Sequence, residues 1–160
     1  MELSKDVRPA GVMIFTLYMG KFLLILRDDK PEISFPNSWS PVTGGIEAEE
    51  DVFMAAKREL IEEIGVIPEN LKILGISAKG NGFFFATLSE KEKKSIKLGE
   101  GQKYDFFTFK ELSKIDIKGA FHVYLGRYND IFKKMSKNNY EPKGKDFELA
   151  VWNGNGVHLK

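Results

Sequence analysis

The chain has 160 residues, 29% of them charged and 42% hydrophobic, with a formal net charge of +1. That balance gives no bulk electrostatic pull toward nucleic acid or a membrane surface, and the length suits one domain with a sizeable core. There is no cysteine, which excludes disulfides, thiolate metal sites and cysteine nucleophiles.

In chain order, residues 1–6 are polar and expected to fray. No apolar run reaches the roughly eighteen residues of a membrane span. The opening MELSKDVRPAG lacks the apolar stretch of a signal peptide, so no membrane partner and a cytoplasmic location are expected. Val7 to Leu17 is rich in β-formers and predicts a strand. Phe22 to Leu26 predicts its hairpin partner, with Arg27 at its end. Residues 30–38 carry two prolines and read as a loop, and Trp39 is expected in the core. Val52, Ala55, Ala56, Leu60 and Ile64 then recur at helical spacing and predict an amphipathic helix. Glu49, Glu50 and Asp51 stand near its start, where the macrodipole favours negative charge, and Gly65 stands where a glycine commonly ends a helix.

Beyond the helix, Leu71 to Lys79 predicts a strand, Gly80-Asn81-Gly82 a hairpin turn, and Phe83 to Leu88 the returning strand. Three consecutive phenylalanines cannot all face one way on a strand. The charge run 89–97 reads as a solvated loop, Lys103 to Phe109 as an aromatic strand, Lys110 to Ile115 as a short helix, and Ala120 to Lys137 as a second long helix. Lys133, Lys134 and Lys137 on that helix read as a solubilising face. Phe147 to Trp152 is strand-like and Asn153-Gly154 is a turn signal, so 138–160 reads as an extension with a β-hairpin on a core of about 7–137, within one domain of 1–160. His122 and His158 are isolated and lack metal-ligand spacing.

The residues that carry chemistry lie in GGIEAEEDVFMAAKRELIEEIGV, from Gly44 to Val66. Glu59, Glu62 and Glu63 are three and four residues apart and share one helix face. Three like charges there repel, and a hard divalent cation with oxygen ligands would turn that repulsion into attraction. Taken alone, such a face is as easily a solvated one. Gly44 and Gly45 let a backbone approach a ligand closely.

The stretch matches G-x5-E-x7-R-E-U-x-E-E-x-G-U at every specified position, with U apolar. A chance match at a given start is on the order of 10⁻⁹ at average residue usage. It resembles the Nudix box, and the resemblance covers roughly residues 7–137. It implies an α/β/α sandwich around a mixed sheet and a Mg²⁺- or Mn²⁺-dependent hydrolase. The implied reaction cleaves a nucleoside diphosphate linked to another group. A (d)NTP cut to the monophosphate and pyrophosphate is the first expectation. ADP-ribose, dinucleoside polyphosphates, sugar nucleotides and an RNA 5′ end stay open as substrates, and a non-catalytic nucleotide sensor is the reading of another class.

By the same resemblance, Glu59, Glu63 and the carbonyl of Thr43 are metal ligands, Glu62 is a further ligand, and Arg58 holds the glutamates in place. Glu100, before the aromatic strand, resembles a glutamate that serves as an extra ligand or as the general base. Both it and a helix glutamate are candidates for the base. Its neighbours Gly99 and Gly101 suggest a mobile loop. Arg27, Gly44 and Gly45 are expected at the substrate, and the family's frequent dimers make a homodimer an expectation.

Overall fold

The structure is a computed structural model and describes residues 10–152 together with 157 and 158. Strand β1 (Gly11–Tyr18) turns through Met19 and Gly20, both at positive φ, into β2 (Lys21–Leu26). A long loop leads to β3 (Trp39–Ser40) and β4 (Val42–Gly45), and the chain then enters helix α1 (Val52–Ile64). Strands β5 (Lys72–Ile76) and β6 (Asn81–Thr87), helix α2 (Glu90–Lys94) and strand β7 (Lys103–Phe107) follow. A 3-10 turn at Lys110–Lys114 precedes α3 (Gly119–Arg127) and α4 (Asn129–Lys137). A second 3-10 turn, Gly144–Phe147, leads to the hairpin β8 (Val151–Trp152) and β9 (Val157–His158).

Among the described residues, seven strands make one mixed sheet centred on β1. One edge of β1 runs parallel to β6, from Gly11 opposite Asn81 to Leu17 opposite Thr87. The other edge is shared antiparallel between β2 at the tip and β4 at the base, where Val12 faces Gly44 and Met13 faces Thr43. Both sheet faces are covered, so β1 is buried along almost its whole length, without a polar alternation. Val12, Ile14, Leu23, Ile25 and Phe84 pack against Ala55, Ala56, Leu60 and Ile64 of α1. Met13, Phe15, Phe22, Phe83 and Phe85 pack the opposite way, under Phe121 of α3 and Phe132 of α4. The three consecutive phenylalanines thus split between the two cores. This is the expected α/β/α sandwich.

Four expectations need correction. The turn before β6 lies at Ser77–Gly80, where the Gly80 amide donates to the Ser77 carbonyl and Gly80 takes φ +85°. Asn81 is already in the ladder, paired with Gly11. The charge run contains α2, nucleated by a reciprocal Ser89–Glu92 capping box. The second long helix is two, broken at Tyr128 (φ −116°, ψ 36°), so the apolar period continues across a bend. Finally, residues 138–150 are part of the core: Phe147 is buried, its ring 5.7 Å from Phe15 and 5.4 Å from Phe132. The Asn153-Gly154 turn and the polar residues 1–6 lie outside the described residues.

Candidate active site

Helix α1 begins where the Asp51 carboxylate accepts the Met54 amide at 2.7 Å, and ends at Gly65 in the left-handed region at φ +69°. Between these caps the helix lies against β4 and β1. One flank carries Arg58, Glu59, Glu62 and Glu63, but these do not share one environment. Glu59 and Glu63 are buried, while Glu62 is exposed.

Glu59 reaches its place because Gly44 lies opposite. A Cβ at Gly44 would overlap the Glu59 carboxyl group. The glycine therefore serves close approach of β4 to α1, within the strand that carries Thr43.

Arg58 is the hub of the flank. Its Nε and Nη2 donate to the two carboxylate oxygens of Glu50 at 2.7 and 3.0 Å, a bidentate pair. Nη1 donates to Glu59 at 2.8 Å and to Glu62 at 3.3 Å, and Nη2 also donates to the Gly45 carbonyl at 2.8 Å. Glu50 accepts the Glu47 amide as well, so one guanidinium locks the loop before α1 onto the helix. The Arg58 pairing holds the Glu50 carboxyl below its ordinary range.

Glu63 has no such partner, and its Oε2 is buried without a hydrogen bond. Burial pushes its carboxyl up to about 9, helped by contact with Glu59 and the charges of Glu59 and Glu100, while the Thr43 backbone pulls it down. Burial also raises Glu59, against the opposing pull of Arg58. An orphaned carboxylate oxygen deep beside a second carboxylate, on a helix flank where three glutamates share a single guanidinium, is an oxygen donor set short of positive charge, and it fits a hard divalent cation. Among the described residues, no group of three acidic or histidine side chains converges closely enough to cage an ion unaided. The fit is to a cation that keeps other oxygens, from water and phosphate, in its shell.

Glu100 is exposed, and its charge is felt at Glu63. Its loop is held to its neighbours by close contacts and hydrogen bonds. The Gly99 amide donates to the Glu63 carbonyl at 2.9 Å, and a Cβ on Gly99 would overlap the Glu62 carbonyl. Gly101 (φ +88°) is pressed on Leu26. Gln102 completes the fastening. Its amide donates to the Leu26 carbonyl, and its Nε2 to the Arg27 carbonyl at 2.8 Å and to Asn37 Oδ1 at 2.9 Å.

Beside Thr43 and Gly44 opens a pocket of about 290 Å³. Arg27 lines it, with its Nε engaged by the Ser34 carbonyl at 2.8 Å. The sequence reading missed most of the rest. Phe35 stands half exposed in the left-handed region (φ +50°), with its ring over Gly119. Asn81, Phe83 and Lys118 complete three walls. The one sequence signal was an aromatic between two prolines in a polar loop. Gly45 is exposed and absent from the pocket wall, reaching the site through its carbonyl on Arg58. Trp39 packs edge-on against Phe107 at 4.8 Å, as core.

The NUDIX domain family matches residues 7–125. The chain belongs to that family. It is a Nudix hydrolase. No curated protein sequence matches it. Among solved structures, it is similar to the NUDIX domain of Shewanella oneidensis NrtR complexed with ADP ribose. That pair has 15% identity and a TM-score of 0.59, and covers 79% of this chain and 89% of the other. A MutT from a study of Aliivibrio salmonicida and Vibrio cholerae gives 19% and 0.55, covering 83% and 99%. A C. elegans Ap4A hydrolase binary complex gives 19% and 0.53, covering 76% and 96%. At these identities the likeness is one of fold. Phe132 and Phe147 lie past the matched segment yet inside the core.

Proposed function

We propose that this Nudix hydrolase cleaves a phosphoanhydride in a nucleoside triphosphate, (d)NTP to (d)NMP and pyrophosphate, with Mg²⁺ or Mn²⁺. The observation that carries the reading is the buried, unpartnered Glu63 oxygen beside Glu59 and the Thr43 backbone, with Thr43 itself lining the Arg27 pocket. Glu59, Glu63 and the Thr43 carbonyl would hold the cation, with Glu62 and Glu100 as outer carboxylates. When bound, it neutralises phosphate charge and polarises the phosphoryl oxygens.

The chain's own groups do the rest. Arg58 keeps Glu59 aimed inward by a fork that a lysine lacks. Glu63 would have to be ionised to hold the cation, because a carboxylate ligand binds as the anion. Glu100 is exposed and makes no ion pair among the described residues, so it is free to hold an attacking water and accept its proton. Arg27 and Lys118 offer positive charge to phosphate oxygens. Phe35, half exposed on the pocket wall, offers ring surface to a base.

The pocket's size favours one nucleoside. About 290 Å³ is at the lower end for ligand pockets, which run from roughly 300 to 1,000 Å³. That supports a mononucleotide over a dinucleoside polyphosphate. Cytoplasmic location and a homodimer stay part of this proposal.

The test is a product screen by mass with purified protein, Mg²⁺ or Mn²⁺, and (d)NTPs, oxidised dNTPs, ADP-ribose, dinucleoside polyphosphates, sugar nucleotides and triphosphorylated RNA. A chelator-sensitive (d)NTP hit releasing pyrophosphate supports the reading. A stronger hit on another class replaces the substrate. Silence from metal-loaded protein moves the chain to the sensor class.

A further inference from the structure

A second concavity lies between the 3-10 turn at Lys110–Lys114 and helices α3 and α4. It is a groove of about 600 Å³, and it shares no lining residue with the pocket at the box. Nothing in the hydrolysis chemistry uses it. Its floor is apolar, made by buried Leu112 and Ile117 with half-buried Ile115 and Leu125. Its rim is cationic, made by Lys110 on one side and Lys133 and Lys137 on the other, with His122 between. Ser113 and Asn129 add neutral hydrogen-bonding groups.

The structure sorts the three lysines of α4. Lys134 leaves the groove and lies over the Tyr140 ring at 5.8 Å. Lys133 and Lys137, one helical turn apart, both line the groove. Among the described residues, no carboxylate comes within ion-pair distance of Lys110, Lys133 or Lys137. The one acid in the lining, Asp116, is paired with Lys118 at 3.4 Å. Three uncompensated cations around an apolar floor repel one another and call for an anion. The floor calls for an apolar or flat body on the same molecule.

We propose that this groove is a second ligand site, for a small organic phosphate whose phosphate lies among Lys110, Lys133 and Lys137 and whose flat body rests on Leu112 and Ile117. Lysines act there as point charges on a phosphate. The volume is that of a small-molecule pocket. A long nucleic acid is disfavoured, because the chain's net charge of +1 supplies no wider field to track a backbone. Consecutive residues line the groove and the box pocket, Ile117 the first and Lys118 the second.

AMP, inorganic phosphate and adenosine are the probes, none of which contains a phosphoanhydride. Each is titrated into the folded protein and followed by backbone amide NMR. AMP is expected to shift Ser113, Gly126 and Asn129 saturably, and more tightly than phosphate or adenosine alone. Lys133→Glu with Lys137→Glu is expected to weaken that binding about tenfold or more, while any response of Gly11, Thr43 and Gly45 is unchanged. Lys110→Glu, on the opposite rim, gives the same direction independently of α4. The proposal is overturned if AMP leaves Ser113, Gly126 and Asn129 unmoved, or if the lysine variants bind as before. Phosphate binding as tightly as AMP, or a short RNA or acidic peptide binding there while AMP does not, overturns the assigned ligand class.

Discussion

On the α1 face of the sheet, the core is interrupted by two buried carboxylates, Glu59 and Glu63. On the other face, the core of Phe15, Phe22, Phe83, Phe121, Phe132 and Phe147 contains no charged member. The rings there meet edge-on and tilted, as in the Phe15–Phe132 pair at 5.2 Å and 89°. The two faces therefore answer different demands. Burying a carboxyl beside another carboxyl destabilises a fold, and an apolar pair of similar size would serve packing better. The Glu59–Glu63 pair makes sense as a site kept at the expense of stability, whereas the phenylalanine face makes sense as the source of it.

The strongest challenge to this contrast is Glu63→Gln. Turnover is expected to fall about a thousandfold or more, the scale of losing a principal electrostatic group, while thermal stability in chelator holds or rises. Near-normal turnover of the folded variant would remove the mechanism. Phe132→Ala is the mirror experiment. A buried phenylalanine replaced by alanine costs about 3–5 kcal/mol, seen as a lower denaturant midpoint. Below the new midpoint kcat/KM should stay within about twofold of wild type, which is about the 0.3–0.5 kcal/mol within which separated sites add. A collapse of kcat in still-folded protein would show that the faces are not separable.

A finer test is Gln102→Ala, which cuts the tie between the Glu100 loop and the Arg27–Asn37 loop. We expect kcat/KM to drop about tenfold, as for a modest loss of alignment, with little change in melting temperature. An unaltered kcat/KM would make that tie structural only. The smallest effect is in pH. An unfolded glutamate titrates near 4.5, and folded, cation-free Glu63 near 9. The folded protein thus holds a proton that the unfolded chain releases between those values. That contribution to stability is complete below 4.5 and is lost as pH rises through 9. In chelator, the melting temperature should drift down by a few degrees across the neutral range, and Mg²⁺ or Glu63→Gln should flatten the drift. A flat profile for cation-free wild type would contradict the buried, protonated state.

How far the sequence could be read differs between these same regions. Helix α1 was readable because cap, period and terminal glycine agree over thirteen residues. That Glu59 and Glu63 turn inward while Glu62 faces solvent was not readable. Shared helix face is a local property, but depth depends on β4 arriving from elsewhere in the chain. The break at Tyr128 was hidden because Tyr124 and Tyr128 both pack on Phe147, so the apolar period runs on through the bend. Gly99 and Gly101 were ambiguous for a related reason. A glycine needed for close contact and a glycine that permits motion have the same spelling. Phe35 and Lys118 reached the pocket from distant loops, with no spacing rule to announce them.

The parallel ladder between β1 and β6 also bears on how the protein is made. Gly11 cannot find Asn81, nor Leu17 find Thr87, until the whole of α1 and β5 has been synthesised and folded over. Hairpin contacts near Tyr18 are available early, but pairings of such high sequence separation form slowly. A nascent chain stalled on the ribosome just after Val66 would carry every residue of the box, with the β4 and β1 strands that α1 lies against, but neither β6 on the other edge of β1 nor the Glu100 loop that fastens to the Glu63 carbonyl. The signature is written in one contiguous stretch, yet the sheet beneath it is complete only when β6 emerges and docks, and the Glu100 loop joins later still.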